Sequence, residues 1–292
     1  MPELPEVEVI RSGLSELIAK KTIEKVNVLN DKSFQASTSS IDVFVNNSTI
    51  LSVKRRAKIL LIELSSGYSL VIHLKMTGQL LFRDNQNKSK NFAGGHPSDS
   101  FLSVLPDNHT RVELIFTDST TLFFNDMRKF GWIKLLPTTE LKEEKFIAKL
   151  GPEPLIGNPT PEYLKRMSRH PKSLVKAALL NQEIVAGIGN IYADEALWGA
   201  MIHPKTRVEN LSKKQLENIL NAAIEVMSFS INKGGSTDRN YLNAKGEKGS
   251  YLTFANVFRK EGKPCPRCGH VIEKIRVAGR GTHICSNCQQ LV

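Results

Sequence analysis

The sequence has 292 residues, a formal net charge of +11 and a hydrophobic share of 40%. No apolar run approaches the ~18 residues of a membrane span, and the first residues lack the basic-then-apolar order of a signal peptide. We therefore expect a cytoplasmic globular protein of about two domains, with no membrane association. The positive charge favours a polyanionic partner, nucleic acid before a membrane surface.

The chain begins MPELPE, and an initiator Met before a small residue is normally removed. Removal would leave Pro2 as a free secondary amine, and an α-amine titrates near pH ~8 against ~10.4 for lysine. Much more of it is therefore neutral and nucleophilic at pH 7. With Glu3 and Glu6 beside it, this amine is suited to Schiff-base chemistry. The alternative is that the two acids only stabilise the start of a helix.

The elements of the first half are predicted from periodicity. Apolar residues at helical spacing predict an amphipathic helix over about 5–20, which would fix the position of the chain start. Strands joined by tight turns then predict an antiparallel sandwich or barrel. The predicted strands are 59–64, 68–74, 111–117, 121–125 and 131–136. The polar stretch 84–110 is predicted to be a long exposed loop.

The second half is predicted to be helical. It follows a linker marked by GPEP at 151–154 and PTP at 159–161. Helices are predicted over about 161–168, 172–181, 190–199 and 211–232. Residues 233–250, rich in Gly, Asn and Lys, are predicted to form a mobile loop, and the last forty residues a small cysteine-bearing unit.

Residues 181–195 read NQEIVAGIGNIYADE, which predicts a helix, a tight glycine turn and a second helix that starts at Asn190. The start of a helix presents unpaired backbone N–H groups and a positive dipole end, and both favour a phosphate. Simple capping of the helix by Asn190 is the alternative.

All four cysteines lie near the end of the chain, as two C-x-x-C pairs separated by sixteen residues: Cys265, Cys268, Cys285 and Cys288. This spacing is typical of a tetrathiolate zinc site. So short a segment cannot bury enough apolar surface alone, so the metal would supply folding free energy. Four thiolates leave no open coordination position, which makes the zinc structural. Disulfides are the alternative, but nothing in the sequence indicates export.

Between the two cysteine pairs, Arg280 stands between two glycines, Gly279 and Gly281. Glycines permit the close approach of backbone to a ligand, and an arginine at a hairpin tip suits contact with a phosphate or a groove. A solvated turn is the alternative.

Four segments together resemble bacterial formamidopyrimidine-DNA glycosylase: MPELPEVE, NDMRKFG, LNQEIVAGIGNIYADEALW and VAGRGTHIC-x-x-C. They occur in the family's order over essentially the whole chain. The resemblance implies an α+β multidomain protein, with an antiparallel β-sandwich and leading helix at 1–136 and a linker at 137–160. It further implies a helix–two-turn–helix domain at 161–256, with a loop at 233–252 that closes over the extruded base, and a β-hairpin zinc finger at 257–292.

The same resemblance implies the activity. Similar enzymes excise oxidised purines such as 8-oxoguanine and formamidopyrimidines from double-stranded DNA, which lies between the two halves of the protein. They then cut the strand at the abasic site by β,δ-elimination. One structural Zn²⁺ and a monomeric chain are expected. The alternatives are an endonuclease VIII-like enzyme for oxidised pyrimidines, a non-catalytic lesion binder of the same fold, and a general DNA-binding zinc protein.

The resemblance also implies roles for individual residues. Pro2 would be the nucleophile and Glu3 the proton donor, with Glu6 in support. Two further residues are counted with the catalytic group, the hairpin lysine that reaches the lesion site and an arginine near the chain end: Lys58 and Arg280.

Other residues are implied to contact DNA. Three would fill the gap left by the extruded nucleotide: Met76, Arg128 and Phe130. The remaining DNA contacts, mostly to phosphates, would be made by His73, Lys176, Asn190 and Arg280. Without the resemblance, Met76 and Phe130 would be core residues and Lys58 a solvated charge at a strand end.

One segment departs from the family pattern. Where the family often has VYGR shortly before the first Cys, this chain reads VFRK at 257–260. Phe258 lacks the hydroxyl that would bind a phosphate, a bond worth at most roughly 1.5–3 kcal/mol. Because Arg259 adds a positive charge, we expect only a modest change in DNA affinity.

Overall fold

The computed structural model describes residues 1–96, 103–236 and 251–291. The chain divides into two compact units. The first contains Met1–Ala148 and the described part of Lys233–Ser250, and the second contains Lys149–Asn232 and the described part of Tyr251–Val292. Most of the predicted base-closing loop, residues 237–250, lies outside the described residues. The domain boundaries at 136, 160 and 256 stay predictions.

The first unit consists of a leading helix followed mainly by strands. In chain order its elements are α1 (Leu4–Ile18), β1 (Ile23–Val28), β2 (Phe34–Gln35), α2 (Thr38–Phe44), β3 (Ile50–Arg56), β4 (Ile59–Leu64), β5 (Tyr68–His73), β6 (Gly78–Arg83), β7 (Phe92–Gly95), β8 (Thr110–Phe116), β9 (Thr121–Asp126), β10 (Trp132–Pro137) and α3 (Lys145–Ala148).

The strands of this unit form two five-stranded sheets, in the orders β1-β8-β9-β6-β7 and β2-β10-β5-β4-β3. Neighbouring strands are antiparallel except β2 and β10. One core cluster joins apolar side chains of α1 and of both sheets, among them Ile10, Leu60 and Leu114. The predicted antiparallel β-sandwich with a leading helix is confirmed.

Several elements of the first unit are absent from the predicted set, among them strand β7 and helix α2. Strand β7 lies inside the predicted loop 84–110, pairs with β6 and buries Phe92, which is 1% exposed. Its sequence FAGG is too short to show an alternating pattern. Helix α2 begins after Ser37, whose hydroxyl accepts the N–H of Ser40 at 3.1 Å, an ordinary N-cap. The predicted loop is therefore wrong over 92–95, and residues 97–102 lie outside the described residues.

The second unit is helical and ends in a β-hairpin. Its elements are α4 (Thr160–Met167), α5 (Val175–Leu180), α6 (Asn190–Gly199), α7 (Lys213–Asn232), α8 (Tyr251–Phe254), β11 (Glu273–Val277) and β12 (Arg280–Ile284). Helix α6 packs against α5, α7 and β12 and is buried over residues 192–197. The predicted helices are confirmed to within a few residues.

The hairpin of the second unit turns through two residues, Ala278 and Gly279, with φ of 48° and 75°. Two successive positive φ angles are what a tight two-residue hairpin requires, and glycine adopts them without strain. Arg280 follows as the first residue of β12 and is exposed. The predicted hairpin with an arginine at its tip is confirmed. In the part of the chain that the structure describes, no helix is long and apolar enough to cross a membrane.

Candidate functional site

The start of the chain is fixed by the carboxylate of Glu6. One oxygen accepts the backbone N–H of Glu3 at 2.8 Å and the other accepts the backbone N–H of Ser236 at 2.9 Å. Pro2 is buried and Glu3 is 4% exposed, whereas Met1 is 52% exposed. Glu6 therefore stabilises the helix start, as the alternative to a catalytic role predicts. It also ties the helix start to Ser236, one of the described residues of the predicted base-closing loop.

Lys58 lies at the turn between β3 and β4, after Ala57, whose φ is 52°. Lys58 is 6% exposed, so the alternative of a solvated strand-end charge is wrong. Arg55 holds this turn, because its Nε donates to Glu8 of α1 at 2.8 Å and its Nη1 donates to the carbonyl of Ala57 at 2.9 Å. The ion pair thus joins helix α1 to the turn that carries Lys58.

Glu8 and Arg55 were missed by the sequence analysis. Burial raises the pKa of Glu8, but hydrogen bonds and charges from Arg11 and Arg55 outweigh it, so that the pKa lies below its ordinary value. The carboxylate is therefore ionised at neutral pH and pairs with both guanidinium groups. The only signal was its position in α1, two residues after Glu6, where it is partly buried.

His73, at the end of β5, lies opposite Ile59 of β4. Its Nδ1 accepts the backbone N–H of Lys75 at 2.9 Å. Burial, with the positive charges of Lys75 and Lys58, lowers the pKa of His73 to about 3. The ring is therefore neutral at neutral pH with its proton on Nε2. The predicted DNA contact, still a prediction, would be a hydrogen bond from Nε2 and not an ion pair.

Met76, Arg128 and Phe130 lie together on the surface of the first unit. Nη1 of Arg128 is 3.1 Å from Sδ of Met76, and the guanidinium carbon is 4.8 Å from the ring centroid of Phe130. Met76 is 45% and Phe130 54% exposed, so the alternative of core residues is wrong for both. Exposed apolar side chains grouped around a cation mark an interaction surface. We call these three residues the wedge cluster.

The wedge cluster is held by Asp126, which the sequence analysis missed. Its carboxylate accepts the hydroxyl of Thr77 and the backbone N–H groups of Arg128, at 3.1 Å, and Gly131, at 2.6 Å. Asp126 is fully buried, and Thr77 directly follows Met76. One carboxylate therefore joins the loop of Met76 to the loop of Arg128. The signal available in the sequence was an aspartate directly before a turn, because such a side chain commonly accepts the N–H groups of the residues that follow it.

In the second unit, Asn190 is the first residue of α6 and Gly189 is the N-cap. The alternative that Asn190 caps the helix is therefore wrong. Its Nδ2 instead donates to the carbonyl of Gly281 at 3.0 Å, which ties the helix start to the residue after Arg280. The start of α6 and the exposed tip of the hairpin are thus held next to each other, as a shared phosphate site would need.

The resemblance implies that Lys176 contacts a DNA phosphate, but its side chain is fully buried. Its Nζ lies 2.6 Å from Oδ1 of Asp194 and 2.6 Å from Oγ1 of Thr282, and Asp194 Oδ2 accepts the backbone N–H of His283 at 2.9 Å. An ammonium group with no exposed surface cannot reach a phosphate in this arrangement. The geometry favours a positioning role, in which Lys176 and Asp194 hold strand β12 on helices α5 and α6.

Phe258, the departure from the family pattern, is packed into the second unit. Its ring centroid is 4.9 Å from that of His283, in an edge-on arrangement, and its backbone N–H donates to Glu195 at 2.8 Å. The guanidinium carbon of Arg259 lies 5.9 Å from the same ring centroid. The phenyl ring therefore fills a packing position that needs no hydroxyl.

The four cysteine sulfurs converge on one point, with all Sγ atoms within 4.8 Å of one another. The pair Cys265–Cys288 is separated by 4.0 Å and the pair Cys268–Cys285 by 3.4 Å. Zinc bonded tetrahedrally to thiolates at ~2.3 Å places sulfurs roughly 3.8 Å apart, so the group fits one zinc ion. All four cysteines are free, so the disulfide alternative is wrong. The four thiolates would hold one zinc ion, and they leave it no open coordination position, so its role would be structural.

Three family models match the chain in order. The N-terminal domain of formamidopyrimidine-DNA glycosylase matches residues 1–133, its H2TH domain residues 150–241, and the zinc finger found in FPG and IleRS residues 262–291. Among curated proteins, formamidopyrimidine-DNA glycosylase of Bacillus cereus (strain ATCC 10987 / NRS 248) is 38% identical over 291 residues, which cover 99% of each chain.

Comparison with solved structures leads to the same family. A Lactococcus lactis FPG mutant in complex with a Fapy-dG containing DNA superposes with a TM-score of 0.84 at 31% identity, over 99% of this chain and 100% of that chain. MutM in complex with carbocyclic 8-oxo-G containing DNA gives a TM-score of 0.83 at 30% identity, over 99% and 100% of the two chains. The chain belongs to the formamidopyrimidine-DNA glycosylase family.

Proposed function

We propose that this protein is a bifunctional base-excision-repair enzyme. It excises oxidised purines, 8-oxoguanine and formamidopyrimidines, from double-stranded DNA and then cuts the strand at the abasic site by β,δ-elimination. Family membership supports the reaction class, and related structures hold Fapy-dG and 8-oxo-G DNA. The observation that carries the proposal is the chain start, where Pro2 is buried and the backbone N–H of Glu3 is held by Glu6. The enzyme works as a monomer in the cytoplasm, on nucleoid DNA.

The covalent step begins at the chain start once Met1 is removed. The neutral nitrogen of Pro2 attacks C1′ of the damaged nucleotide as the bond from C1′ to the base breaks, and the base leaves with the proton that the Pro2 nitrogen releases. Glu3 then gives its proton to the sugar ring oxygen as the C1′–O4′ bond opens, and C1′ becomes doubly bonded to the Pro2 nitrogen. Because the amine is secondary, the resulting imine is a permanent cation and withdraws electrons. It acidifies the neighbouring C2′ hydrogen, which is lost as a proton while the C3′–O bond breaks and the 3′ phosphate leaves. Loss of the C4′ proton and cleavage of the C5′–O bond then release the 5′ phosphate. Lys58 lies at the turn tied to α1 and serves the lesion site.

The damaged nucleotide must be turned out of the DNA double helix before this chemistry can occur, at a cost of a few kcal/mol. Met76 and Phe130 of the wedge cluster insert into the gap, as apolar wedges do in other DNA-bending proteins. Arg128 donates hydrogen bonds to the orphaned partner base. Phosphates are bound by Asn190, by Arg280 and by the neutral ring of His73.

Borohydride trapping tests the proposal, because it reduces an imine to a permanent protein–DNA bond. Protein with Pro2 exposed should form such an adduct with a duplex that contains 8-oxoguanine, but not with undamaged duplex. Pro2→Gly, or protein that retains Met1, should yield little or none. Adducts formed only with thymine glycol would instead indicate an endonuclease VIII-like enzyme. Lesion binding without strand cutting would indicate a non-catalytic binder.

Replacing Asp126 with Ala should lower the rate of base excision from duplex DNA about tenfold or more. The change removes three hydrogen bonds to a buried carboxylate, each worth roughly 1.5–3 kcal/mol, and frees the two loops of the wedge cluster. Excision under single-turnover conditions measures the effect, and thermal unfolding measures the stability loss. Asp84→Ala is the matched control, because Asp84 also accepts two backbone N–H groups, at 2.9 and 2.8 Å, but lies in a different loop. An equal loss of excision in both variants would contradict the role of Asp126.

A further inference from the structure

Trp198, in the last turn of α6, contacts the metal centre without being a ligand. Its indole Nε1–H donates to Sγ of Cys265 at an N···S distance of 3.4 Å. The ring packs against the buried residues of the C-terminal segment: Val257, Cys265, Ile272 and Cys285. Donors to metal-bound thiolates stabilise the negative charge that four sulfurs place around one ion.

Arg267, between the first two cysteines, stacks on the ring of this tryptophan. Its guanidinium carbon lies 4.0 Å from the Trp198 ring centroid. Its Nη1 donates to the carbonyl of Trp198 at 3.0 Å, and its Nη2 lies 3.4 Å from the carbonyl of Gly199. The last carbonyls of a helix have no intrahelical partner, and a cation is favoured there. A planar guanidinium can stack on the ring and bind these oxygens together.

Helix α6 is joined to the C-terminal segment along its whole length. At its start, Asn190 binds the carbonyl of Gly281. In its middle, Asp194 accepts the N–H of His283, and Glu195 accepts the N–H of Val257 at 2.8 Å. At its end it meets the first cysteine pair through Trp198. The helix therefore connects the metal centre at one end with the Asn190 and Arg280 region at the other.

We propose that Trp198 is a positioning residue of the zinc centre. Its indole N–H stabilises the Cys265 thiolate, and together with Arg267 it holds the first C-x-x-C pair on the end of helix α6. This clamp slows the release of zinc. It also makes the position of α6 depend on the bound metal, and the start of this helix lies at the predicted phosphate site. The inference rests on the zinc site and does not depend on the proposed catalytic chemistry.

The sequence offers a matched pair of variants, since it contains two tryptophans. Trp198→Phe removes the N–H donor, whereas Trp132→Phe changes a half-buried ring of the first unit. Zinc release to a colorimetric chelator should be about 10- to 100-fold faster in Trp198→Phe, the range typical of lost partners around metal ligands, and unchanged in Trp132→Phe. Arg267→Met should accelerate release to a smaller extent. Equal release rates in wild type and Trp198→Phe would overturn the proposal.

Two spectroscopic measurements separate the hydrogen bond from simple packing. In Trp132→Phe, Trp198 is the only tryptophan, and its fluorescence should change when zinc is removed. With Co²⁺ in place of zinc, loss of the N–H donor should shift the thiolate-to-cobalt charge-transfer band of Trp198→Phe to longer wavelength, because the sulfur electrons are less stabilised. An unmoved band in folded, cobalt-loaded Trp198→Phe would overturn the proposal. Unchanged emission in Trp132→Phe would do the same, even if Trp198→Phe failed to fold.

Discussion

Replacing Glu3 with Gln is expected to slow the excision of 8-oxoguanine by about 10²- to 10⁴-fold, the range of a lost general acid. Glutamine keeps the size and the hydrogen-bonding oxygen of the side chain but has no proton to give to the sugar ring oxygen. Because Glu3 is 4% exposed, water cannot readily take its place. Single-turnover excision from a duplex measures the effect.

The same variant should cleave a preformed abasic site much more readily than it excises a base. The sugar of an abasic site opens spontaneously to its aldehyde, so Pro2 can form an imine there without a proton from Glu3. Glu16→Gln is the control, since Glu16 is an exposed residue of the same helix. Equal losses on the two substrates would contradict the proton-donor role and indicate that Glu3 mainly positions Pro2.

Local patterns allowed much of the fold to be predicted. Helix α1 has an apolar face of regular spacing, β4 and β5 flank a short glycine turn, and two C-x-x-C pairs define the zinc segment within a few residues. Strand β7 could not be predicted, because four residues with two glycines have no pattern of their own. Its strand conformation depends on pairing with β6 and on the burial of Phe92.

Less of the candidate site than of the fold could be predicted from the sequence. The residues to which we assign a chemical role were chosen because the family motifs contain them. The residues that hold them in place were missed, since the roles of Glu8, Asp126 and Trp198 depend on partners distant in the sequence. Lys176 shows a different departure, because the resemblance implies a phosphate contact whereas its side chain is fully buried. Only the fold reveals that Asp194, eighteen residues later, pairs with it.

Removal of zinc is expected to unfold the C-terminal segment and to weaken DNA binding by about 10²- to 10⁴-fold. A structural zinc ion contributes on the order of 10–16 kcal/mol to such a segment, whose own buried cluster is small. Unfolding removes Arg280 from its place and takes the Gly281 carbonyl from Asn190. Two lost phosphate contacts of about 1.5–3 kcal/mol each correspond to the stated range of affinity.

The metal-free protein should also lose stability within the second unit, for a reason that involves Lys176. Its buried ion pair with Asp194 is complete only when Thr282 and the N–H of His283 are present, and a buried pair that lacks its hydrogen bonds is costly. Dialysis against a chelator, followed by DNA titration at several salt concentrations, measures the loss. Arg280→Ala with zinc retained is the comparison, and should lower the salt slope by about 0.9, the share of one phosphate contact. Wild-type affinity in protein shown to be free of metal would contradict the structural role of zinc, because the hairpin would then hold Arg280 without it.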